Sequence, residues 1–500
     1  MKLKDMIVAT ALAGLVGFSI PSASSATSTG VESHLSGPLS MHSSNRLFEL
    51  VGPPDIGTPP PGVLFTFPVT LDFEVMSRVP EDIAIEVPNP LLPIGIELIE
   101  IPRTSFEMID GYIEDTSVPG CQTTDSCPLI PDPDASPDEF SFIWYGRLDA
   151  KVLSLTWRHG QFVGYFQYEH GHYRIYGDSL TQVDSSYFFN QLADDTADAF
   201  ANPMPKAENV ASKGTSGTFN AIDTLVLYSE GARTSPNHNG DPMDCNDDES
   251  ITTLISAAVT HSNGSHMASG PDGSNGTGTQ HGEVYYRRLT GLPTDADGSS
   301  AWETETEAFF DIVDNSAIEA ERQELGADIV VVVLADGDFD IAFPDFSYCG
   351  FADIPNTADS NDPQNWGAAK AIVRENCQRQ IPYIFTHEVG HLLGAQHALS
   401  QSPDQDPLFP WAHGLHVDSV VDTIMSTDRF GPRVDWFSTP SKTYDGTATG
   451  TVENEDVAFM ISDTMGATVA DYFPTLDTIF ESGFQSQGGS ECPDTVDWNG

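Results

Sequence analysis

The chain has 500 residues, too long for one ordinary domain, and its 39% hydrophobic and 10% aromatic residues are enough to bury real cores. Against 21 Lys and Arg stand 74 Asp and Glu, a formal net charge of −53 spread along the chain rather than held in one tail. Such a surface repels nucleic acid and anionic lipid, which excludes both as expected partners; the plain reading of the charge is solubility in a salty medium, where screening removes self-repulsion.

The first 26 residues, "MKLKDMIVATALAGLVGFSIPSASSA", carry Lys2 and Lys4, then an apolar run from Met6 to Ile20, then small residues. This is the pattern of a secretory signal peptide cleaved after Ala26, and the run falls short of the ~20 residues a membrane span needs. A secreted protein without a membrane partner is expected. Residues 27–62, rich in Ser, Gly and Pro, read as a flexible lead-in. From Val63, stretches such as "VLFTFPVTLDFEV" and "LSLTWRHGQFVGYFQYEHGHYRIYG" alternate apolar and polar residues, predicting a β-rich domain over 63–192. Residues 193–220 are small and polar, as an exposed, easily cut linker is.

The segment 221–474 reads differently. "AIDTLVLYS", "GEVYYRRLTGL" and "ADIVVVVLADG" are strand patterns, while "ESITTLISAAVTHSN", "WETETEAFFDIVDNSAIEAERQELG" and "VENEDVAFMISDTMGATVADYF" have helical spacing. Strands alternating with helices predict an α/β layer, so the chain as a whole is α+β / α/β. A polar, Gly-rich tail, 475–500, closes the sequence. The six cysteines, Cys121, Cys127, Cys245, Cys349, Cys377 and Cys492, are an even number, which in an exported protein suggests disulfides. Cys121 and Cys127 are close enough for a local loop, and Cys349 and Cys377 bracket the segment just before the chemically richest stretch, where a staple is expected.

That stretch is "FTHEVGHLLGAQH", Phe385 to His397. His387 and His391, four apart, share one face of a helix expected over 381–393 and can hold one Zn²⁺ between them. Glu388 follows the first histidine and can sit beside the metal's open position to take a proton from water. Gly394 can turn the chain out of the helix and bring His397 back as a third ligand. Three neutral ligands leave a position open, as a catalytic zinc site does. The oxygen-bearing side chains of Asp241, Asp244, Asn246, Asp247 and Asp248 are a candidate Ca²⁺ site, but their spacing does not fit an EF-hand and a solvated loop is favoured.

The run His387-Glu-Val-Gly-His391-Leu-Leu-Gly394-Ala-Gln-His397 resembles the long zinc motif of the metzincin metalloendopeptidases. In "DTIMST", Met425 matches their Met-turn, a methionine placed beneath the metal. "AIDTLVLYSEGAR", "YCGFA", "FPWAHGL" and "VDWFSTPSKTYDGTATG" are similar to the secreted bacterial reprolysin-like branch that includes the peptidyl-Asp metallopeptidases, and "FSFIWYGRLDAKVLSLTWRHGQFVGYF" to its β-rich propeptide. Ala398 departs from the pattern, since many relatives carry an acidic residue there. The resemblance implies a twisted mixed sheet with long helices and an active-site helix. It also implies a protein or peptide substrate laid along an edge strand, here near Ser347 to Ile354, and a zymogen whose own propeptide is the inhibitor. A Cys121–Cys127 disulfide would keep either thiol from serving as that inhibitor's metal ligand. The branch's cleavage beside acidic residues makes Arg374, Arg379, Arg429 and Arg433 candidate substrate-reading cations, with surface ion pairing their plainer role. The competing functional classes are a secreted non-enzymatic metal-binding or adhesion protein, which has no need of Glu388, and an acidic Ca²⁺-binding matrix protein, which would hold no zinc.

Overall fold

A computed structural model describes residues 46 to 183 and 220 to 470, apart from intervening segments, and 495 to 498. The first part is β-rich: β1 (Phe48–Leu50), β2 (Val63–Leu71), β3 (Asp82–Pro88), β4 (Ile96–Asp110), β5 (Tyr112–Glu114), β6 (Leu129–Pro131), β7 (Ser141–Leu148), β8 (Lys151–Arg158), β9 (Gln161–Tyr168), β10 (Gly171–Tyr176) and β11 (Ser179–Val183). Apart from the β5–β6 ribbon they form one antiparallel sheet in the order β1-β2-β11-β10-β9-β8-β7-β4-β3. Its two edges meet, the Leu47 amide donating to the Ala84 carbonyl at 2.9 Å, so the sheet closes around its own core. Period-2 alternation decides which side chains enter that core. Phe162 and Phe166 of β9 point in with Trp144, Leu153 and Leu155, while Val163 and Tyr165 point out and are nonetheless buried. β1 falls inside the segment expected to be a flexible lead-in, where "RLFEL" is too short to show a period; it is held by pairing with β2.

The second part is a three-layer α/β unit. Its strands are β12 (Asn220–Ser229), β13 (Thr279–Thr290), β14 (Ile329–Leu334), β15 (Gly350–Ala352), β16 (Lys370–Arg374), the short ribbons β17 (His416–Val417) with β18 (Val421–Asp422) and β19 (Thr439–Tyr444) with β20 (Thr447–Thr449), and β21 (Thr495–Asp497). The main sheet runs β15-β16-β14-β12-β13-β21, parallel except for β15, which is antiparallel to β16 and forms one edge. β14 is "IVVVVL", buried on both faces as a central parallel strand must be. β21 lies within the polar, Gly-rich tail: residues 495–497 pair with β13, and Trp498 packs against Trp302.

The helices are α1 (Glu230–Arg233), α2 (Asn246–Ala268), α3 (Glu305–Asp314), α4 (Ser316–Leu325), α5 (Glu375–Gln380), α6 (Tyr383–Leu392), α7 (Val457–Met460) and, after a π turn over Ile461–Met465, α8 (Gly466–Val469). α2 and α6 share one core with the sheet; α3 and α4 cover its other face. The segment "WETETEAFFDIVDNSAIEAERQELG", whose spacing allows one or two helices, forms two, because Asn315 ends α3 and caps α4, its Oδ1 accepting from the Ala317 and Ile318 amides. Asn246, Asp247 and Asp248, read as loop, lie in the first turn of α2; Asp241 and Asp244 lie outside the described residues, as do the signal segment, the 193–219 linker, Cys121, Cys127, Cys245 and Cys492. No helix among the described residues is long and apolar enough to cross a membrane.

Two histidines are built into the core as neutral groups. His281 bonds Thr224 Oγ1 at 2.8 Å and Ser262 Oγ at 3.1 Å, and His266 bonds Thr277 Oγ1 at 2.9 Å. Burial pushes the pKa of His281 down to about 4 and that of His266 to about 3. The unfolded chain therefore binds protons that the native one refuses. The stability is fully present above about pH 6.5 and is lost as pH falls from there toward 4, by up to about 1.4 kcal/mol per pH unit for each group. Urea unfolding between pH 7 and pH 5.5 should show this slope, and His266→Asn with His281→Asn should flatten it; an unchanged slope in the double variant would remove the two histidines from the account.

Candidate metal centre

Helix α6 presents His387, Glu388 and His391 within a wholly buried segment. Gly394 adopts φ +88°, the left-handed conformation that releases the chain from the helix, and the Ala395 amide returns to the Gly390 carbonyl at 2.9 Å. This turn carries His397 back to the other two. The three Nε2 atoms lie 3.1, 3.1 and 3.2 Å apart. Nitrogens about 2.05 Å from one tetrahedral zinc ion would be separated by about 3.3 Å, so the donor set fits such an ion. Among the described residues this is the only cluster of three such ligand groups.

The tautomers agree with that fit. His387 Nδ1 donates to the Ile424 carbonyl at 2.8 Å and His391 Nδ1 to the Ala395 carbonyl at 2.7 Å. Carbonyl oxygens only accept, so each Nδ1 carries its proton and each Nε2 turns a lone pair inward. Burial, then the neighbouring His391 and His397, hold His387 far below the usual histidine range, keeping it neutral. Lone pairs aimed at one point in a dry site repel one another unless a cation takes them.

Met425 lies under this helix, fully buried. Its fit depends on two glycines: a Cβ at Gly390 would meet Met425 Sδ at 2.5 Å, and one at Gly414 would meet Met425 Cβ at 2.7 Å. Gly390 carried a signal in the sequence. A glycine inside a helix costs about 1 kcal/mol relative to alanine, so its presence between the two histidines marks a close approach. Glu388 packs on the edge strand: a Cβ at Gly350 would fall 2.4 Å from Glu388 Oε1. Next to Gly350, Cys349 is joined to Cys377 by the disulfide expected from their placement. Closing that 28-residue loop removes on the order of 3.5 kcal/mol of unfolded-chain entropy and ties the edge strand to α5, just before α6.

The arginines near the motif serve internal partners. Arg374 bonds Asp336 at 2.6 Å and Glu305 at 3.3 Å, and Arg379 pairs with Glu375. Arg433 is buried, stacks over the Tyr383 ring at 4.8 Å, and donates to the Thr423 and Ile424 carbonyls at 3.0 and 3.1 Å. Arg374 and Arg379 thus form ion pairs, as their plainer reading had it, but with their own side chains buried, while Arg433 turns to carbonyls and a ring instead; Arg429 lies outside the described residues. The Ile424 carbonyl thus accepts from both Arg433 and His387, so Arg433 braces a metal-site histidine from behind. Sequence alone gives no signal for this, because the link runs through a backbone atom. Arg433→Leu should weaken zinc binding about 10- to 100-fold in chelator competition while leaving the chain folded; zinc held as tightly as in the parent would end the bracing role.

Comparison with known proteins follows the same residues. Residues 293–398 match the metallo-peptidase family M12B reprolysin-like model. A peptidyl-Asp metalloendopeptidase of Xanthomonas campestris pv. campestris is 31% identical over 143 residues, 28% of this chain and 30% of that one. One from Stenotrophomonas maltophilia is 26% identical over 302 residues, 58% of this chain and 62% of that one, so the chain spans less than two thirds of either relative. The crystal structure of metalloproteinase-II from Bacteroides fragilis aligns with 72% of this chain and 90% of its own at 16% identity, but with a TM-score of 0.32 it is too distant to carry an argument. The family match ends one residue beyond His397, so over residues 293–398 this chain is similar to reprolysin-like metallopeptidases, and the three-histidine centre stands at the end of that stretch.

Proposed function

We propose that the protein is a secreted zinc-dependent endopeptidase, made as a zymogen, with His387, His391 and His397 as metal ligands and Glu388 as general base. The observation that carries this reading is one juxtaposition. Two convergent imidazole nitrogens on α6 and a third from beyond the Gly394 turn meet beside a buried carboxylate of that helix, and that carboxylate rests against the edge strand Gly350–Ala352. A zinc ion held there supplies Lewis acidity, lowering the pKa of water and polarising a carbonyl.

The chain's own residues do the rest. β15 is an edge strand, so its outward backbone groups can pair with an extended substrate and recognise it by its main chain. A peptide added there runs past Glu388, within reach of a carboxylate that takes the proton of the attacking water and hands it to the departing amine. The Cys349–Cys377 bond and the close fit at Gly350 keep edge strand and carboxylate in fixed register. The relatives are named for peptidyl-Asp cleavage, but Arg374, Arg379 and Arg433 are engaged internally and do not supply that preference here.

Secretion rests on the basic, apolar and small-residue succession over 1–26, and the zymogen on the β-rich region joined by the polar 193–220 segment. In this reading the N-terminal domain restrains the enzyme until that segment is cut. Glu388→Gln should retain zinc by elemental analysis and lose 10²- to 10⁴-fold of casein hydrolysis, the usual worth of a general base. Full activity in the variant, or a parent protein without zinc, would refute the assignment.

A further inference from the structure

Helix α2 is buried around nearly its whole circumference from Ile251 to Ala268, unlike a helix that covers one side of a domain. Leu254, Ile255 and Val259 face the core shared with the main sheet and α6. Ala257, His261, Gly264 and Ala268, spaced i, i+4, i+7 and i+11, share another face. That face meets the outer surface of β7 to β9. Ala257 clusters with Val163 and Tyr165, and the Tyr165 ring sits edge-on to His261. At Gly264 the approach is so close that an added Cβ would lie 2.1 Å from the Tyr145 ring.

Directed bonds surround this contact. Tyr165 donates its hydroxyl to the Gln378 carbonyl at 3.1 Å, Arg174 donates to the Arg379 carbonyl at 3.1 Å, and Arg158 donates to Ser256 Oγ at 3.1 Å. The Arg158 and Arg147 guanidinium groups stack over Tyr286 at 5.3 Å and Trp436 at 5.0 Å. Separation would expose the apolar stripe of α2, the outward Tyr145, Val163 and Tyr165, and Ser154 and Thr156, all buried now. Apolar seam, close-packed glycine and buried polar donors together are the anatomy of a permanent interface. The contact also reaches the metal centre: His172 packs edge-on against Tyr383, whose ring carries Arg433, whose guanidinium shares the Ile424 carbonyl with His387.

We propose that the N-terminal β domain is a lasting subunit of the enzyme. Cutting the linker leaves the domain seated on α2 as a non-covalent partner of the catalytic unit. Restraint and docking are then separate properties, and a cut can end the first without ending the second. The interface does not depend on the peptidase assignment, and the test reads association rather than activity, so either idea can fail alone.

The test uses the full chain carrying Glu388→Gln, to prevent self-cleavage, with a site for a sequence-specific protease inserted within residues 193–219. After cutting, the two fragments should co-sediment at 100 nM. Gly264→Ala, which favours the helix itself, should weaken association at least tenfold by placing a methyl in the Tyr145 ring, and adding Tyr145→Ala should recover part of that loss. Arg158→Ala, at a half-buried position on the rim, should weaken association by a smaller factor and serves as the second variant if Gly264→Ala does not fold. Fragments that separate at 10 μM, or an association that neither substitution alters, would overturn the proposal.

Discussion

The carbonyl oxygen of Ile424 is where the structure's demands meet. It accepts from His387 Nδ1 on one side and from the Arg433 guanidinium on the other. The first bond fixes the imidazole's tautomer and aim; the second fixes the carbonyl. Because Ile424 directly precedes Met425, the same turn also lays the methionine under the helix, in the space left by Gly390 and Gly414. Moving any one of these groups displaces the others. A metal site whose donors must converge to a few tenths of an ångström needs that kind of closure, since a ligand left to its own rotamers would not hold the geometry.

The same logic explains how so acidic a chain spends its few cations. Among the described residues Arg233, Arg322, Lys370, Arg374, Arg379 and Arg433 are buried, six of the 21 basic residues in the sequence. They satisfy carbonyls and carboxylates inside the fold: Arg322 bonds the Ala327 and Asp328 carbonyls, and Lys370 the Val313 carbonyl. A guanidinium can reach two acceptors at once, which suits it to this work. Six acidic residues, Glu305, Asp328, Glu375, Glu388, Asp422 and Asp435, are buried as well, so among the described residues these buried groups balance in number, and Arg374, Arg379 and Arg433 are structural.

What the sequence discloses follows the range of each signal. The histidine spacing, the glycine turn, the continuous β-branched run of β14 and the alternation in β7 to β10 are local patterns, and each is legible by eye. β1 and β21 were not, because three-residue strands have no period and exist only through the partners they join, β2 and β13. The bracing by Arg433 and the double-sided burial of α2 are equally silent. The first passes through a main-chain oxygen, and the second places Ser256, His261 and Gly264 against a domain more than 90 residues earlier in the chain. Polar and small residues on a helix usually mean solvent, and only the tertiary partner reverses that reading.

The bond between Cys349 and Cys377 has a consequence for when the site can exist. It anchors the residue next to Gly350, and Gly350 is the floor on which Glu388 rests. Thiols are kept reduced in the cytosol and oxidise outside it. A chain with both thiols reduced would have the same three histidines, but its edge strand would rest on non-covalent contacts such as the pairing with β16 and the packing of Phe351 on Phe309. In the secreted peptidase proposed above, redox compartment then acts as a timer: the register between carboxylate and edge strand is set only after export.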